Sequence, residues 1–410
     1  MRILKFVSLA FGAILLQNCS APSDEGAKSS QVSNQPALER TGSADNNSYS
    51  AEQVVGTHSD PLLGLPPVPI PQNNPMSDDK IALGKKLFLD AQFSADGKVS
   101  CSTCHKLEKA FTDGPLQTSQ GFMGKTGTRN APTVVNAAFN ESQFWDGRRA
   151  DLEGQSMDPP VNPVEGGLPN HEPILDAIRQ DSDYEKAFKQ VFGKAGEDIT
   201  MTEVSYAIAA FERTIVSGNS GFDQYYYGGN KAAMSPAAIR GLDVFLGQGR
   251  CVSCHTIEQD YAIFTDHKFH NLGIGFNRIS QNIESVAGDL IANERAGHSV
   301  DDMVLSDPNA SELGRFAING EWQDIGQFKT PTLRNIAATA PYMHDGSLAT
   351  LKEVVQFYND TLVPGDKGPA NPFQSGGIRP LNLSDEQQKD LVAYLESLTS
   401  PQYQDAVREE

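Results

Sequence analysis

Two short motifs contain the residue types that attach haem to a protein and ligate its iron. The sequence reads CSTCH at residues 101–105 and CVSCH at residues 251–255. In C-x-x-C-H the two thiols can add to the haem vinyl groups, and the adjacent histidine can bind the iron. A thioredoxin-like disulfide would need a βαβ context that is missing here, and a zinc site would need further ligands. The predicted attachment residues are Cys101, Cys104, Cys251 and Cys254, and the predicted iron ligands are His105 and His255.

The ligand opposite His105 decides whether the first haem only transfers electrons or also binds peroxide. The sequence contains no histidine at residues 106–170, and its conventional neutral ligands there are Met123 and Met157. Methionine is far more often a packing residue than an iron ligand. The sequence therefore leaves open whether a protein side chain occupies this position.

A third grouping of potential ligands follows the second motif. The tetrapeptide HKFH places His267 and His270 close together. Two histidines without a third ligand are a weak signal for a separate metal site.

The elements that position both motifs are predicted to be helices. LGKKLFLDAQFSADGKVSCSTCH and IRGLDVFLGQGRCVSCH share a G-x-x-[LV]-F stretch, a short loop and C-x-x-C-H, which indicates two related modules in tandem. Capping residues and apolar periodicity predict one helix before each motif and another that closes each module. The stretches contain Ser77, Leu87 and Phe88; Ser235, Leu242 and Phe245; Val204, Ile208, Phe211 and Ile215; and Ser384, Gln387, Leu391, Tyr394, Leu395 and Leu398. We expect a mainly α fold of two tandem class I cytochrome c-like haem domains, with irregular loops and few short strands.

The N-terminal residues have the composition of an export signal and a tether. Two basic residues precede an apolar run at residues 6–16, which is too short to span a bilayer, and residues 1–18 are therefore predicted to be a signal peptide. Cys19 lies where a bacterial lipobox has its lipidated cysteine, although the residues before it are larger than usual, and ordinary cleavage nearby is the alternative. Residues 19–60 are polar and lack periodicity, as expected of a flexible tether. We predict a periplasmic, lipid-anchored protein.

The composition restricts the classes of partner. The 410 residues carry a formal charge of -19, which disfavours nucleic acid and favours a basic redox partner or a small neutral substrate. Acidity that only keeps an exported protein soluble is the alternative. The length allows two or three domains, and the repeat predicts an N-terminal haem domain at residues 61–225 and a C-terminal haem domain at residues 226–410.

Two further stretches resemble the bacterial di-haem cytochrome c peroxidase family, which includes MauG. They are RNAPTVVNAAFNESQFWDGRRADLEGQSMDPPVNPVEGG at residues 129–167 and FKTPTLRNIAATAPYMHDGSLATLKEVVQFY at residues 328–358. The resemblance implies a peroxide site at the N-terminal haem and electron transfer from the C-terminal haem. It implies that Trp145 lies between the haems, that Gln155 and Glu165 are distal residues, and that Pro159 is a pocket proline. A glutamate can carry a proton between the peroxide oxygens, and a glutamine can hold the peroxide by hydrogen bonds.

The resemblance also implies a metal ion and a second distal ligand. Asn130 matches a family calcium ligand, joined by the backbone carbonyl groups of Thr339 and Pro341, and hard oxygen ligands suit calcium. The distal position of the C-terminal haem falls on Tyr358, where MauG has tyrosine and other peroxidases have methionine, and Met343 is the rival. His344 is expected near the edge of this haem, and a homodimer is common in the family.

One departure from the family pattern concerns the first haem. Many family members have a histidine after the first motif that caps this haem until the second haem is reduced, and the present sequence has none there. We expect an iron that is five-coordinate or water-bound at rest. Three hypotheses follow: a hydroperoxidase that takes electrons from a cytochrome c or cupredoxin, a MauG-like oxidase that modifies a protein side chain, or a di-haem cytochrome that only transfers electrons.

Overall fold

The computed structural model describes residues 61–361 and 371–407. The predicted signal peptide, the predicted lipidation at Cys19 and the tether lie outside the described residues. Within the described part, none of the helices combines the length and apolarity that a membrane span requires.

Short helices joined by irregular loops make up most of the described chain. The α-helices are α1 (Asp78–Leu89), α2 (Cys101–Cys104), α3 (Leu152–Gln155), α4 (Asp158–Val161), α5 (Glu172–Gln180), α6 (Ser182–Phe192), α7 (Met201–Glu212), α8 (Gly221–Tyr226), α9 (Pro236–Leu246), α10 (Ile283–Arg295), α11 (Val300–Ser306), α12 (Pro308–Ser311), α13 (Phe316–Asn319), α14 (Leu351–Gln356) and α15 (Asp385–Glu396). The strands described are β1 (Phe269–His270) and β2 (Phe328–Lys329), which pair antiparallel. The predicted mainly α fold with few short strands is confirmed.

The predicted helix starts agree with the capping side chains. Ser77 accepts a hydrogen bond from the Lys80 backbone at the start of α1, and Ser235 does the same at α9. Ser384 and Gln387 form the predicted capping box at α15. A second capping box, from Thr200 and Glu203, begins α7. These side chains satisfy backbone N–H groups that have no partner inside the helix.

The internal repeat appears as two equivalent helix crossings. In the N-terminal module α1 packs against α7, and in the C-terminal module α9 packs against α15. Gly84 lies against the Ala207 backbone and Gly241 against the Asp390 backbone, so each crossing brings two helices into close contact at a glycine. Both glycines occupy the first position of G-x-x-[LV]-F, and its phenylalanine is fully buried in each module. The repeat therefore encodes a packing contact next to each haem motif.

Three apolar clusters fill the interior. The first lies around α1 and α7, the second around α9 and α15, and the third is formed mainly by residues 276–325. Val164, from the N-terminal module, packs in the third cluster. The sequence patterns did not predict that residues 276–325 form a cluster of their own. These residues also contact Val164, which is distant in the sequence. The predicted domain limits at residues 225 and 226 stay a prediction.

Two matched hydrogen bonds join the modules. The Asn130 backbone N–H donates to the His344 carbonyl oxygen at 2.8 Å. The Lys329 backbone N–H donates to the Trp145 carbonyl oxygen at 2.7 Å. Asn130 and Lys329 hold equivalent places before a Pro-Thr pair, and Trp145 and His344 hold equivalent places before an Asp-Gly pair. The repeats thus contact each other through corresponding residues.

The helix crossing at Gly84 yields a stability prediction. In Gly84→Ala the new Cβ would overlap the Ala207 carbonyl oxygen, and the helices must separate. Overpacking of this kind costs about 1–3 kcal/mol. We expect Tm to fall by several degrees in thermal unfolding followed by circular dichroism. Gly288→Ala is the matched control, because Gly288 lies in α10 with open space around its Cβ position. That change should be neutral or stabilising by up to about 1 kcal/mol, and equal Tm values for both variants would contradict the prediction.

Candidate active site

The first C-x-x-C-H motif lines a cavity of about 210 Å³. Cys101, Cys104 and His105 all contribute to its lining. The Nδ1 atom of His105 donates to the Phe111 carbonyl oxygen at 3.1 Å, which leaves Nε2 as the nitrogen that can bind a metal. Burial lowers the pKa of His105, and this favours the neutral imidazole that an iron ligand requires. The donor set fits a covalently attached haem.

The second motif repeats this arrangement around a cavity of ≈ 280 Å³. Cys251, Cys254 and His255 line it, and His255 Nδ1 donates to the Phe264 carbonyl oxygen at 2.9 Å. Burial raises the pKa of the Cys251 thiol to about 12, as it does for Cys101. A raised thiol pKa is the opposite of the lowered pKa of reactive, redox-active cysteines, and the second cavity therefore also fits a haem.

Three of the residues implied by the resemblance meet in the first cavity. Gln155 at the end of α3, Pro159 in α4 and Glu165 after α4 all line it. The Oε2 atom of Glu165 is buried and has no hydrogen-bond partner in the described structure. Burial, with a smaller contribution from Asp301, raises the pKa of Glu165 to about 7. A carboxyl group with this pKa can both accept and return a proton near neutral pH.

Two acidic residues hold an arginine that acts on this carboxyl group. Arg148 lines the cavity, its Nη1 lies 3.1 Å from Asp146, and its Nε lies 2.6 Å from Asp301. Burial acts to raise the pKa of Asp146, but Arg148 and Arg129 outweigh it and keep that pKa at about 2. The guanidinium group is therefore paired with the ionised Asp146 and also contacts Asp301.

Trp145 lies between the two cavities and lines both of them. Its indole N–H donates to the Asn130 carbonyl oxygen at 2.9 Å, and its own carbonyl group accepts from Lys329. Lys329 also lines both cavities, and burial lowers the pKa of its ammonium group to about 8. The tryptophan could be predicted from the sequence, but the lysine could not, because only the contact between modules places it here.

The methionines weighed as ligands of the first iron lie elsewhere. Met123 is 75% exposed, and neither it nor Met157 is part of the cavity lining. The Met157 carbonyl oxygen instead accepts a hydrogen bond from His171 at 2.8 Å. Met201, at the start of α7, does line the cavity, although it lies far from the C-x-x-C-H motif in the sequence.

Both candidates for the second distal ligand line the second cavity. Tyr358 lies in a π-helical turn (Phe357–Thr361) directly after α14, and Met343 lies in a loop with a positive φ of 74°. Burial raises the pKa of the Tyr358 hydroxyl group, so that a phenolate there depends on a cationic partner such as iron. The choice between them stays a prediction.

Several other predicted residues surround this cavity. His344 lines it, stacks on Phe328 with 3.6 Å between ring centroids, and donates to Glu312 at 3.0 Å. Asn130, Thr339 and Pro341 also line it, and their role as calcium ligands stays a prediction.

Of the histidine pair in HKFH, only His270 belongs to a group of potential metal ligands among the described residues. His270 lies 2.8 Å from Asp266, and both side chains are close to Cys254. The Cys254 sulfur is expected to form a thioether bond to the haem and would then not be a metal ligand. His267 is not part of this group among the described residues.

Known proteins share both the sequence and the fold. Residues 78–231 match the family model for di-haem cytochrome c peroxidase, and residues 317–399 match that for cytochrome c. The cytochrome-c peroxidase IdrP1 of Denitromonas iodatirespirans is 36% identical, with 85% of this chain and 89% of that protein covered. The methylamine utilization protein MauG of Methylorubrum extorquens is 33% identical, with 81% of each covered.

A solved structure is similar over most of the chain as well. It is the crystal structure of a MauG-like protein associated with microbial copper homeostasis, with a TM-score of 0.65 and 32% identity, covering 83% of this chain and 97% of that one. Similarity over more than four fifths of the chain, together with a C-x-x-C-H motif at each cavity, indicates membership of the same family. The chain belongs to the di-haem cytochrome c peroxidases, oxidoreductases with two haem c groups.

Proposed function

We propose that hydrogen peroxide is reduced in the cavity of His105 and that electrons reach it from the cavity of His255 through Trp145. The observation that carries this proposal is the unpartnered Oε2 of Glu165 in a cavity lined by Cys101 and Cys104. When bound, the haem supplies an iron that can accept peroxide and deliver electrons to it. The balanced reaction consumes one peroxide, two electrons and two protons, and it yields two waters.

The proton transfer falls to Glu165. As a carboxylate it takes the proton from the inner peroxide oxygen, and it then returns that proton to the outer oxygen. The leaving group is water rather than hydroxide, which makes O–O cleavage easier. Gln155 lines the same cavity, and its amide group can orient the peroxide by hydrogen bonds.

The experiment that tests this function supplies the reductant. Reduced small c-type cytochromes and cupredoxins are mixed with the holoprotein and peroxide, and oxidation of the donor is followed by absorbance. We expect multiple turnovers with at least one donor. A protein that oxidises none of them would contradict the conventional peroxidase.

A MauG-like oxidation of a protein side chain is the second candidate function. Two features favour it, namely the absence of histidine at residues 106–170 and Tyr358 at the position where the resemblance implies the distal ligand of the second haem. Failure with small donors, together with peroxide-dependent modification of a co-secreted protein detected by mass spectrometry, would support this candidate instead.

Tyr358 is proposed as the distal ligand of the second iron. A phenolate ligand lowers the reduction potential relative to methionine. In Tyr358→Met we therefore expect the potential of one haem to rise by on the order of 100 mV in a spectroelectrochemical titration. Met343→Leu is the control and should leave both potentials unchanged. If Met343→Leu shifts a potential and Tyr358→Met does not, the assignment is wrong.

Further proposals concern the surroundings of the two haems. We propose that Asn130, with the carbonyl groups of Thr339 and Pro341, holds one calcium ion between them. Asn130 also accepts the hydrogen bond of the Trp145 indole, and an ion there would fix this ring. We also propose that the protein is exported to the periplasm, lipid-anchored through Cys19, and able to form a homodimer.

A further inference from the structure

The turn that carries Glu165 is held by a residue from a distant part of the chain. Asn162 is fully buried; its Oδ1 accepts the Val164 backbone N–H at 3.0 Å, and its carbonyl oxygen accepts the Glu165 N–H at 3.2 Å. The remaining side-chain donor of Asn162, Nδ2, lies 2.6 Å from Oδ2 of Asp301. Asp301 therefore anchors the residue that organises this turn.

The second oxygen of Asp301 contacts the arginine beside Glu165. Arg148 Nε lies 2.6 Å from Asp301 Oδ1, and the Arg148 side chain is only 7% exposed. The Arg148 guanidinium also lies over the Phe144 ring, 3.4 Å from its centroid. Asp301 thus contacts both the asparagine that organises the turn of Glu165 and the arginine whose charge acts on Glu165.

Helix α11, which carries Asp301, is itself attached to the first cavity. Thr128 Oγ1 donates to the Val304 carbonyl oxygen at 2.6 Å, and Leu305 lines the cavity. Val164 packs in the apolar cluster of the 276–325 segment. The position of Asp301 relative to Glu165 is therefore set by packing as well as by hydrogen bonds.

The charged groups around Glu165 shift its pKa in opposite directions. Asp301 and Asp158 disfavour the Glu165 carboxylate, and Arg148 favours it. Among these groups Asp301 has the largest effect on the pKa of Glu165, and the effect of burial on this pKa is larger still. The Cys101 and Cys104 thiols also lie within electrostatic reach of Glu165, and they cannot ionise once they are thioethers.

We propose that Asp301 is a positioning residue for the peroxide reaction, which holds the 162–165 turn through Asn162, contacts Arg148 and places a negative charge near Glu165. The proposal rests on the proposed role of Glu165. Asp301 does not line the cavity and acts only through Asn162, Arg148 and its charge.

The test compares Asp301→Asn with the wild-type holoprotein. Asparagine keeps an oxygen that can accept from Asn162 but removes the charge. We expect the pKa of the Glu165 carboxyl group, followed by infrared difference titration, to fall by about one unit or more from its raised value. The acid limb of the pH profile of kcat/KM for peroxide should move to lower pH by the same amount. Glu165→Gln identifies the infrared band, which is measured without peroxide and is therefore independent of whether turnover occurs.

The control is Asp302→Asn, which changes the neighbouring charge on the same helix. Asp302 is not among the groups that shift the pKa of Glu165. An unchanged Glu165 titration in Asp301→Asn, or an equal shift in Asp302→Asn, would overturn the proposal. If peroxide turnover is absent in all variants but the infrared shift is present, the peroxidase function fails while the coupling of Asp301 to Glu165 stands.

Discussion

Replacement of Glu165 by glutamine should lower kcat/KM for peroxide by about 10²–10⁴-fold, the usual contribution of a positioned acid or base. Glutamine has nearly the same shape, but it can neither accept the proton from peroxide nor return it. Because burial raises the pKa of Glu165 to about 7, its carboxylate form increases as the pH rises through this value. The wild-type kcat/KM should therefore rise with pH in this range, and the rise should be lost in the variant. Stopped-flow absorbance after mixing with peroxide measures both effects.

A control variant separates this effect from a general change in charge. Glu141→Gln alters an exposed glutamate outside the cavity lining and should react with peroxide at the wild-type rate. The resting spectrum and haem content of Glu165→Gln should also be unchanged. A Glu165→Gln protein that keeps the full rate and the same pH dependence would show that another group transfers the proton.

Replacement of Trp145 by phenylalanine should separate peroxide cleavage from electron delivery. The indole ring lies between the cavities and lines both, and phenylalanine is harder to oxidise and lacks the N–H that binds the Asn130 carbonyl oxygen. We expect donor-dependent turnover to fall by at least about tenfold, equivalent to 1.4 kcal/mol of barrier. The first reaction with peroxide in the stopped-flow experiment should remain, because Glu165 and Gln155 are unaltered.

The sequence offers a matched control in its other tryptophan. Trp322 is 47% exposed and packs on Phe316, with 5.3 Å between ring centroids. Trp322→Phe should keep wild-type turnover. Equal turnover of the two variants would mean that electrons do not pass through Trp145.

The features that could be predicted from the sequence are those set by local patterns. Each C-x-x-C-H motif contains its haem-attachment cysteines and its iron ligand within five residues. Helix capping by Ser77, Ser235 and Ser384 depends only on neighbouring backbone groups. The repeat around Gly84 and Gly241 also predicted related modules, because the same helix crossing requires the same small residue.

The features that were missed depend on contacts between distant residues. Asp301 reaches Asn162 across 139 positions, and Lys329 reaches the cavities only through the contact between modules. Neither residue has a sequence pattern of its own, since a single acidic residue or lysine is usually exposed to solvent. Glu165 required the family resemblance for the same reason, and only its burial in the structure explains how its pKa can suit proton transfer.

The most direct test of the central claim is the electron paramagnetic resonance spectrum of the resting ferric holoprotein, recorded before and after one equivalent of peroxide. An iron that His105 binds on one side, with no protein ligand on the other, should give a high-spin signal that disappears with peroxide. This result is expected without prior reduction, because residues 106–170 contain no histidine. A spectrum with both haems low-spin and unchanged by peroxide, as Met201 or another side chain on the first iron would produce, would contradict the peroxidase mechanism.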